Sequence, residues 1–411
     1  MSDKSQDHKG PLRPHLSLET TEPMAFGHGW ISGTISAVLG LVGLGAVICF
    51  YFPTLLTMPE LRRFYLEHLV SVRALLHIFL VASFLLGIIS ICLRQNKTLG
   101  LIGMTCVFVA AMLGGSNVSL GNTPETSQFL GLDWFVLNLF LYSAVYVPLE
   151  RLFALHPEQP TFRKGWLVDL TYFFLNSLLV QLLTLLTMKP AMVFFDWCRV
   201  TPVVETVSQL PLVIQILLCL LVADFTQYWI HRAFHAIPIL WRFHAIHHSA
   251  EAMDWLAGSR LHLVDAVATR ALTYVPIYVL GVSETALYAY VTVVVVQATF
   301  IHANVRWEFP GLRWLLATPH FHHWHHAAEP QAIDKNFSVH TPLWDWLFGT
   351  LLMPSRWPHE YGLCGKKDVP SGWMLQFLYP FKRRRRIDDK DPLHAERDTP
   401  MSSDSSATRI S

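Results

Sequence analysis

The stretch Leu212–His235 reads L-V-I-Q-I-L-L-C-L-L-V-A-D-F-T-Q-Y-W-I-H-R-A-F-H. Its first part, Leu212–Ile230, is apolar over a length that crosses roughly 30 Å of hydrocarbon as a helix. Its end carries His231 and His235, four residues apart and so neighbours on one helix face. That is a spacing at which two imidazoles reach one metal ion. Asp224 lies seven residues before His231 on the same face, inside the apolar run. An intramembrane carboxylate is costly and needs a partner. A ligating imidazole needs an acceptor for its other ring nitrogen, so Asp224 is expected to orient one of these histidines. By itself H-x-x-x-H is a weak signal, and the rest of the chain has to be read around it.

Outward from this helix the chain stays apolar. Its 411 residues are 52% hydrophobic and only 15% charged, with mean hydropathy +0.35. Soluble domains carry roughly 25% charged residues, so this is an integral membrane protein by composition. Further apolar stretches lie near Trp30–Phe52, Ala74–Leu93, Leu99–Gly115, Trp134–Phe153, Leu167–Thr187, Val264–Leu280 and Glu284–Phe300. With Leu212–Ile230 they predict an all-α, polytopic fold of about eight transmembrane helices. The third, seventh and eighth are near the lower length limit, and one or two could be buried or re-entrant instead. The last two are separated only by Gly281, Val282 and Ser283, which predicts a tight helical hairpin. That hairpin returns the chain to the side it left, placing every histidine cluster on one membrane face.

Orientation follows from basic residues. If the histidine face is cytoplasmic, the inner side holds Lys4, Lys9, Arg13, Arg94, Lys97, Arg151, Arg163, Lys164, Arg232, Arg242 and Arg260. The outer side holds only Arg62, Arg63, Arg73, Lys189 and Arg199. The run Lys382–Arg386 suits anionic cytoplasmic lipid, or is a solvated tail; either places the C-terminus inside. Both termini are therefore expected in the cytoplasm. Residues 1–28 are polar, with Pro11, Pro14 and Pro23, and read as a disordered tail rather than a cleavable signal. Three spans follow over 29–115, further spans over 116–216, a catalytic region over 217–355, and a basic C-terminal segment over 356–411. A net charge of +1 supplies no global field for nucleic acid. The six cysteines have no C-x-x-C spacing, which disfavours a disulfide scaffold or a thiolate zinc site.

The histidines are the anomaly. Of 21, thirteen fall between His231 and His340. H-A-I-H-H-S places His244, His247 and His248 at i, i+3 and i+4, and T-P-H-F-H-H-W-H-H repeats that spacing as His322, His325 and His326. Two H-x-x-H-H boxes plus H-x-x-x-H, all on one side, supply eight imidazoles. That suits two metals with about four nitrogens each and positions left open for a small ligand. Structural zinc usually takes four ligands, often thiolates. Imidazole alone does not choose among iron, zinc and copper.

These boxes, with D-F-T-Q-Y-W-I-H-R-A-F-H, L-W-R-F-H-A-I-H-H-S and N-F-S-V-H-T-P-L-W-D-W-L-F-G-T, resemble the fatty acid hydroxylase/sterol desaturase superfamily over roughly Val222–Leu352. The resemblance implies a membrane-bound, non-haem di-iron oxidoreductase that uses O2 to hydroxylate or desaturate a lipid. Its ligands would be His231, His235, His244, His247, His248, His322, His325 and His326, with His302 of F-I-H-A-N as a ninth. Some members have another histidine four residues on, where this chain has Arg306. His262 resembles a family R-x-H segment and is a candidate ligand or supporting residue. His340 and Asp345 are candidates for supporting the ligands, with helix capping or a salt bridge the alternative for Asp345. Asp334-Lys335-Asn336 is expected to form a loop under the site. His320 and His323 point off the ligand face of a helical box and read as packing or solvent-facing residues.

Electrons must come from outside, since the sequence has no G-x-G-x-x-G fingerprint and no iron–sulfur cysteine set. The resemblance thus implies an NAD(P)H-driven donor, a reductase with a ferredoxin or cytochrome b5-like carrier. The competing readings are a metal-transporting histidine-rich membrane protein and a family-shaped protein without catalysis.

Overall fold

The computed structural model describes residues 29–93, 96–121, 129–365 and 369–382, with the side chains of residues 180 and 181 left out. The N-terminal tail, Arg94 and the basic run beyond Lys382 lie outside the described residues. All regular structure among the described residues is helical, apart from two isolated bridges, Ala154 with Val305 and Ala327 with Tyr361.

Three helices open the chain: α1 (Trp30–Tyr51), α2 (Leu69–Leu93) and α3 (Thr98–Met112). They pack through small residues, as helices in lipid do, because close backbone approach replaces the hydrophobic drive. Ser36 on α1 donates to Ser83 O and Ser83 on α2 donates back to Ser36 O, each at 2.7 Å. A side chain at Gly103 on α3 would run into Ser36.

Next come α4 (Leu132–Leu152), α5 (Trp166–Leu178) and α6 (Val180–Phe195), the last two bent by 55° relative to each other. Tyr146 on α4 donates to Val296 O at 2.9 Å, tying this group to the later helices. The helix that opened the sequence reading is α7 (Leu212–Ala236), followed at once by α8 (Pro238–His244). The expected hairpin is α9 (Leu263–Leu280) and α10 (Glu284–Phe300). Gly281 takes the left-handed conformation (φ 71°) that ends α9, and the Ser283 side chain caps α10 by accepting from Ala286 N. Gln215 fastens the turn to the start of α7, accepting from Ser283 N at 2.8 Å. Beyond it lie α11 (Pro319–His325), α12 (Leu343–Leu347) and α13 (Trp373–Leu378).

Every apolar stretch of the sequence is helical. Five helices among the described residues are long and apolar enough to cross a membrane: α1, α2, α4, α7 and α9. The bent α5–α6 pair makes a sixth if it is one span, and α3 and α10 are shorter apolar helices. The basic-residue tally is weaker than it looked. Arg163 and Arg260 are buried in ion pairs, while Arg73 and Lys189 sit within α2 and α6.

Gly103→Ala should force α1 and α3 apart, since the new Cβ would meet the Ser36 hydroxyl and backbone. Overpacking of this kind costs about 1–3 kcal/mol. Thermal unfolding in detergent should show the loss, and an unchanged midpoint would refute this packing.

Candidate metal centre

The C-terminus of α7, the short α8, the starts of α9 and α11 and the end of α10 meet at one end of the helices. Nine imidazoles converge there in two groups. His231, His235, His244, His248 and His325 form one; His247, His302, His322 and His326 form the other. Within each group the facing atoms lie within 4.8 Å of one another. All nine expected ligands are therefore brought together, as five and four.

Helix geometry explains the sorting. The i, i+4 pairs His231/His235, His244/His248 and His322/His326 each stay within one group. The i+3 residue of each box, His247 or His325, crosses to the other group. Each H-x-x-H-H box thus serves both groups, and neither is complete without both boxes.

The outer nitrogens fix the rings. Nδ1–H of His231 donates to Phe337 O (2.7 Å), of His247 to Arg260 O (3.0 Å), of His302 to Ala298 O (2.6 Å) and of His325 to Lys335 O (2.8 Å). His244 Nδ1–H donates to the Asp265 carboxylate at 2.7 Å, and His235 Nδ1 lies 3.5 Å from Asp334 Oδ1. A neutral ring that donates from Nδ1 keeps its lone pair on Nε2. Yet His231 Nε2 is 2.9 Å from His244 Nε2, and His247 Nε2 is 3.3 Å from His302 Nε2. Lone pairs that face each other so closely repel unless a cation lies between them. Metal–nitrogen bonds of about 2.0–2.1 Å at right angles place two nitrogens about 3.0 Å apart. His302–His322 and His322–His326, at 3.0 and 3.1 Å, have the same spacing. Nε2 of His235 and of His325, both buried, have no hydrogen-bond partner among the described residues. The donor set fits two imidazole-bound metal ions.

Burial, then the neighbouring imidazoles, hold His247, His248, His322 and His326 well below the ordinary histidine pKa. Burial also lowers His302 to about 4 and His325 to about 3. These rings are neutral at pH 7, the state in which imidazole binds metal.

The supporting residues differ from expectation at several points. Among the described residues Asp224 makes no hydrogen bond to an imidazole. Its carboxylate accepts from the backbone N–H groups of Val339, His340 and Thr341 at 2.8–2.9 Å. The shared helix face was correct, but a turn of backbone with three free donors competes better for that carboxylate than one ring N–H. Asp345 accepts from Phe337 N and Ser338 N, both at 2.8 Å. The two aspartates together pin residues 337–341, and the Phe337 carbonyl of that segment orients His231. His340 stands outside both groups, its Nδ1 2.8 Å from Gln297 Oε1. His262 also stands outside. It caps α9 by accepting from Val264 N, and its Nε2–H donates to Phe377 O at 3.1 Å. His320 and His323 are buried packing residues: His320 donates to Arg356 O, while His323 joins Ala303 O and the Tyr361 hydroxyl. Asp334-Lys335-Asn336 forms a loop under the site, with Asp334 and Asn336 at positive φ (56° and 59°). The Asn336 amide bonds Phe321 O and Leu352 O.

Asp265 is the residue the sequence reading passed over. It lies three residues after His262, in R-x-H-x-x-D, and only the fold turns it towards His244.

Fold and site together define a helical membrane protein with a buried cluster of nine histidines in two groups that could each hold a metal ion. Residues 216–350 match the family model for fatty acid hydroxylases. Ornithine lipid hydroxylase OlsE of Rhizobium tropici is 32% identical over 44% of this chain and 54% of its own length. Alkylglycerol monooxygenase of Danio rerio is 29% identical over 39% of this chain and 36% of its own. Very-long-chain aldehyde decarbonylase GL1-4 of Oryza sativa subsp. japonica is 27% identical over 36% and 25%. The chain thus spans about half or less of the curated relatives it matches. No solved structure matches it.

Asp265→Asn keeps the shape but removes the charge from the His244 hydrogen bond. Metal affinity of the five-histidine group should fall about 10- to 100-fold, as for other ligand-orienting partners. Asp224→Asn should fall less, because it acts only through backbone. Equal losses from both, in metal titrations of the purified protein, would contradict this assignment.

Proposed function

We propose that this protein is an O2-dependent lipid hydroxylase or desaturase with two irons, one in each histidine group. The observation that carries the reading is the pair of opposed Nε2 lone pairs, His231–His244 and His247–His302, one in each group. Nothing but a cation reconciles those contacts with the hydrogen bonds on the far side of each ring. When bound, a pair of irons supplies the activation of dioxygen and the oxidation of an unactivated C–H bond. Outcome then depends on whether oxygen is delivered, giving an alcohol, or a second hydrogen is lost, giving an alkene.

The chain's own residues do the rest. Burial keeps the ligands neutral, backbone carbonyls and Asp265 fix the tautomers of five of them, and the buried Phe337 ring packs against His231, His235 and His325. Water exclusion confines the oxidant to the substrate. The relatives' names (ornithine lipid hydroxylase, alkylglycerol monooxygenase, very-long-chain aldehyde decarbonylase) support a long-chain lipid as substrate here. We take the histidine end to face the cytoplasm, with eight crossings once α3, α10 and the bent pair are counted. Electrons would arrive from a separate NAD(P)H-driven carrier. A transporter would string its histidines along a path through the helices; the gathering of all nine at one end argues against that.

An apolar groove of about 410 Å³ lies between α7 and α9, lined by Phe225, Thr226, Trp229, Ile230, Leu272 and Pro276 among others. On α7 these residues occupy the face opposite His231 and His235. A lipid chain lying there would not meet the metals, so substrate is expected to enter elsewhere.

The test is metal content of protein purified anaerobically in detergent, read with dioxygen uptake on adding reductant and a membrane lipid extract. Near two irons per chain and lipid-dependent uptake are expected. Tightly held zinc, with no uptake after reconstitution with iron, would overturn the proposal. His231→Ala, His247→Ala and His325→Ala should each abolish turnover while the protein stays in the membrane.

A further inference from the structure

The two histidine groups are braced differently. The five-histidine group is held from within residues 216–350: by Asp265, by Lys335 O, and by Phe337 O with the aspartates behind it. The four-histidine group leans on residues outside that stretch.

His247 donates to the carbonyl of Arg260, and the Arg260 guanidinium donates to Asp169 Oδ1 on α5 at 2.5 Å. Asp169 Oδ2 accepts from Arg163 at 2.8 Å. Arg163 also forks onto Asp254, with Nε to Oδ2 at 2.6 Å and Nη2 to Oδ1 at 2.8 Å. Asp254 Oδ1 in turn accepts from Leu256 N and Ala257 N, shaping the turn that carries Gly258. Gly258 lies flat against His302: a Cβ there would stand 2.9 Å from His302 Nδ1. Glu150, at the end of α4, accepts from Trp255 N and from Asn304 N, two residues past His302.

Arg163, Asp169, Asp254 and Arg260 are all buried. Four buried charges are costly unless paired, and here they alternate in sign so that each has an opposite neighbour. A chain keeps such a box for what it positions. Its two ends bear on His247 and on His302, the pair whose Nε2 atoms face each other in the four-histidine group.

We propose that Arg163 and Asp169 are positioning residues for the four-histidine centre, so that the segment before residue 216 governs whether the second metal is held. This rests on the two-centre reading above, though not on any oxygenase activity. A disturbance of α5 or of the 150–169 segment is then transmitted to one metal and not to the other.

The test is a Co(II) titration of the full-length, metal-free protein in detergent, followed by absorbance. Wild type should bind two ions tightly. Asp169→Asn should weaken one site about 10- to 100-fold and leave the other unchanged, as expected for a ligand-orienting contact. Adding His322→Ala to Asp169→Asn should remove no further strong site, whereas adding Asp265→Asn should weaken the remaining one. Arg163→Lys, which keeps the buried charge but cannot span both aspartates, and Gly258→Ala, which presses on His302, should weaken the same site. These two carry the test if Asp169→Asn does not fold. Equal weakening of both sites, or of neither, overturns the proposal. Wild type binding fewer than two ions overturns the two-centre reading and this proposal with it. Two ions bound without lipid oxidation would leave this proposal standing and sink only the oxygenase.

Discussion

The structure depends on one electrostatic constraint: nine imidazoles must turn their lone pairs inward while buried and uncharged. A neutral ring has one N–H, and that N–H has to be satisfied outside the cluster or the ring flips. The carbonyls of Ala298, Arg260, Lys335 and Phe337 and the carboxylate of Asp265 meet that need for five of the nine rings, while Nδ1 of His322 and of His326 has no hydrogen-bond partner among the described residues. Much of the cap beyond the membrane helices is explained by holding those acceptors still. The loop over 334–341 has little regular structure, which is why Asp224, Asp345 and the Asn336 amide are all spent on its backbone or its neighbours. Positive φ at Asp334 and Asn336 is tolerated there because those side chains and backbone groups are otherwise so heavily bonded.

The same constraint explains the unequal bracing. A ligand on a long helix, such as His231 on α7, needs one carbonyl to set its rotation. His247 lies in a single short turn and His302 just past the end of α10, so neither has a helix of its own to fix it. Buried ion pairs are poor sources of stability but good at enforcing one arrangement, provided every charge is matched. Placing them behind His247 and His302 is consistent with that trade.

Much of this was legible in the sequence because it is periodic. Apolar runs of membrane length, a three-residue hairpin with glycine and serine at its ends, and histidines at i, i+3 and i+4 all survive folding unchanged. The nine ligands came partly from spacing and partly from resemblance. His302, alone between boxes, has no local signal. What escaped were the acceptors. A backbone carbonyl has no residue identity, so nothing in Phe337 or Lys335 as letters marks them as partners of His231 and His325. Asp224 shows the opposite failure: its face was read correctly, but a face does not say whether a ring or a loop will meet it. Arg163 and Arg260 entered the reading as ordinary loop cations. Only the fold reveals that each is enclosed by carboxylates from distant segments.

The match to the family model begins at residue 216, and the contacts that brace the histidines do not. A domain boundary drawn at the ligands would leave α4 and α5 as generic membrane helices, yet Glu150, Arg163 and Asp169 bond the segments that carry His302 and orient His247. The division between the two groups follows from chain order. The five-histidine group takes its acceptors from one continuous stretch. The four-histidine group is also braced by α5 against the 250–260 loop, through the contact of Asp169 with Arg260. Two centres built from the same imidazoles therefore differ in how far their integrity depends on the rest of the molecule. The group with one ligand fewer is also the one held from farther away.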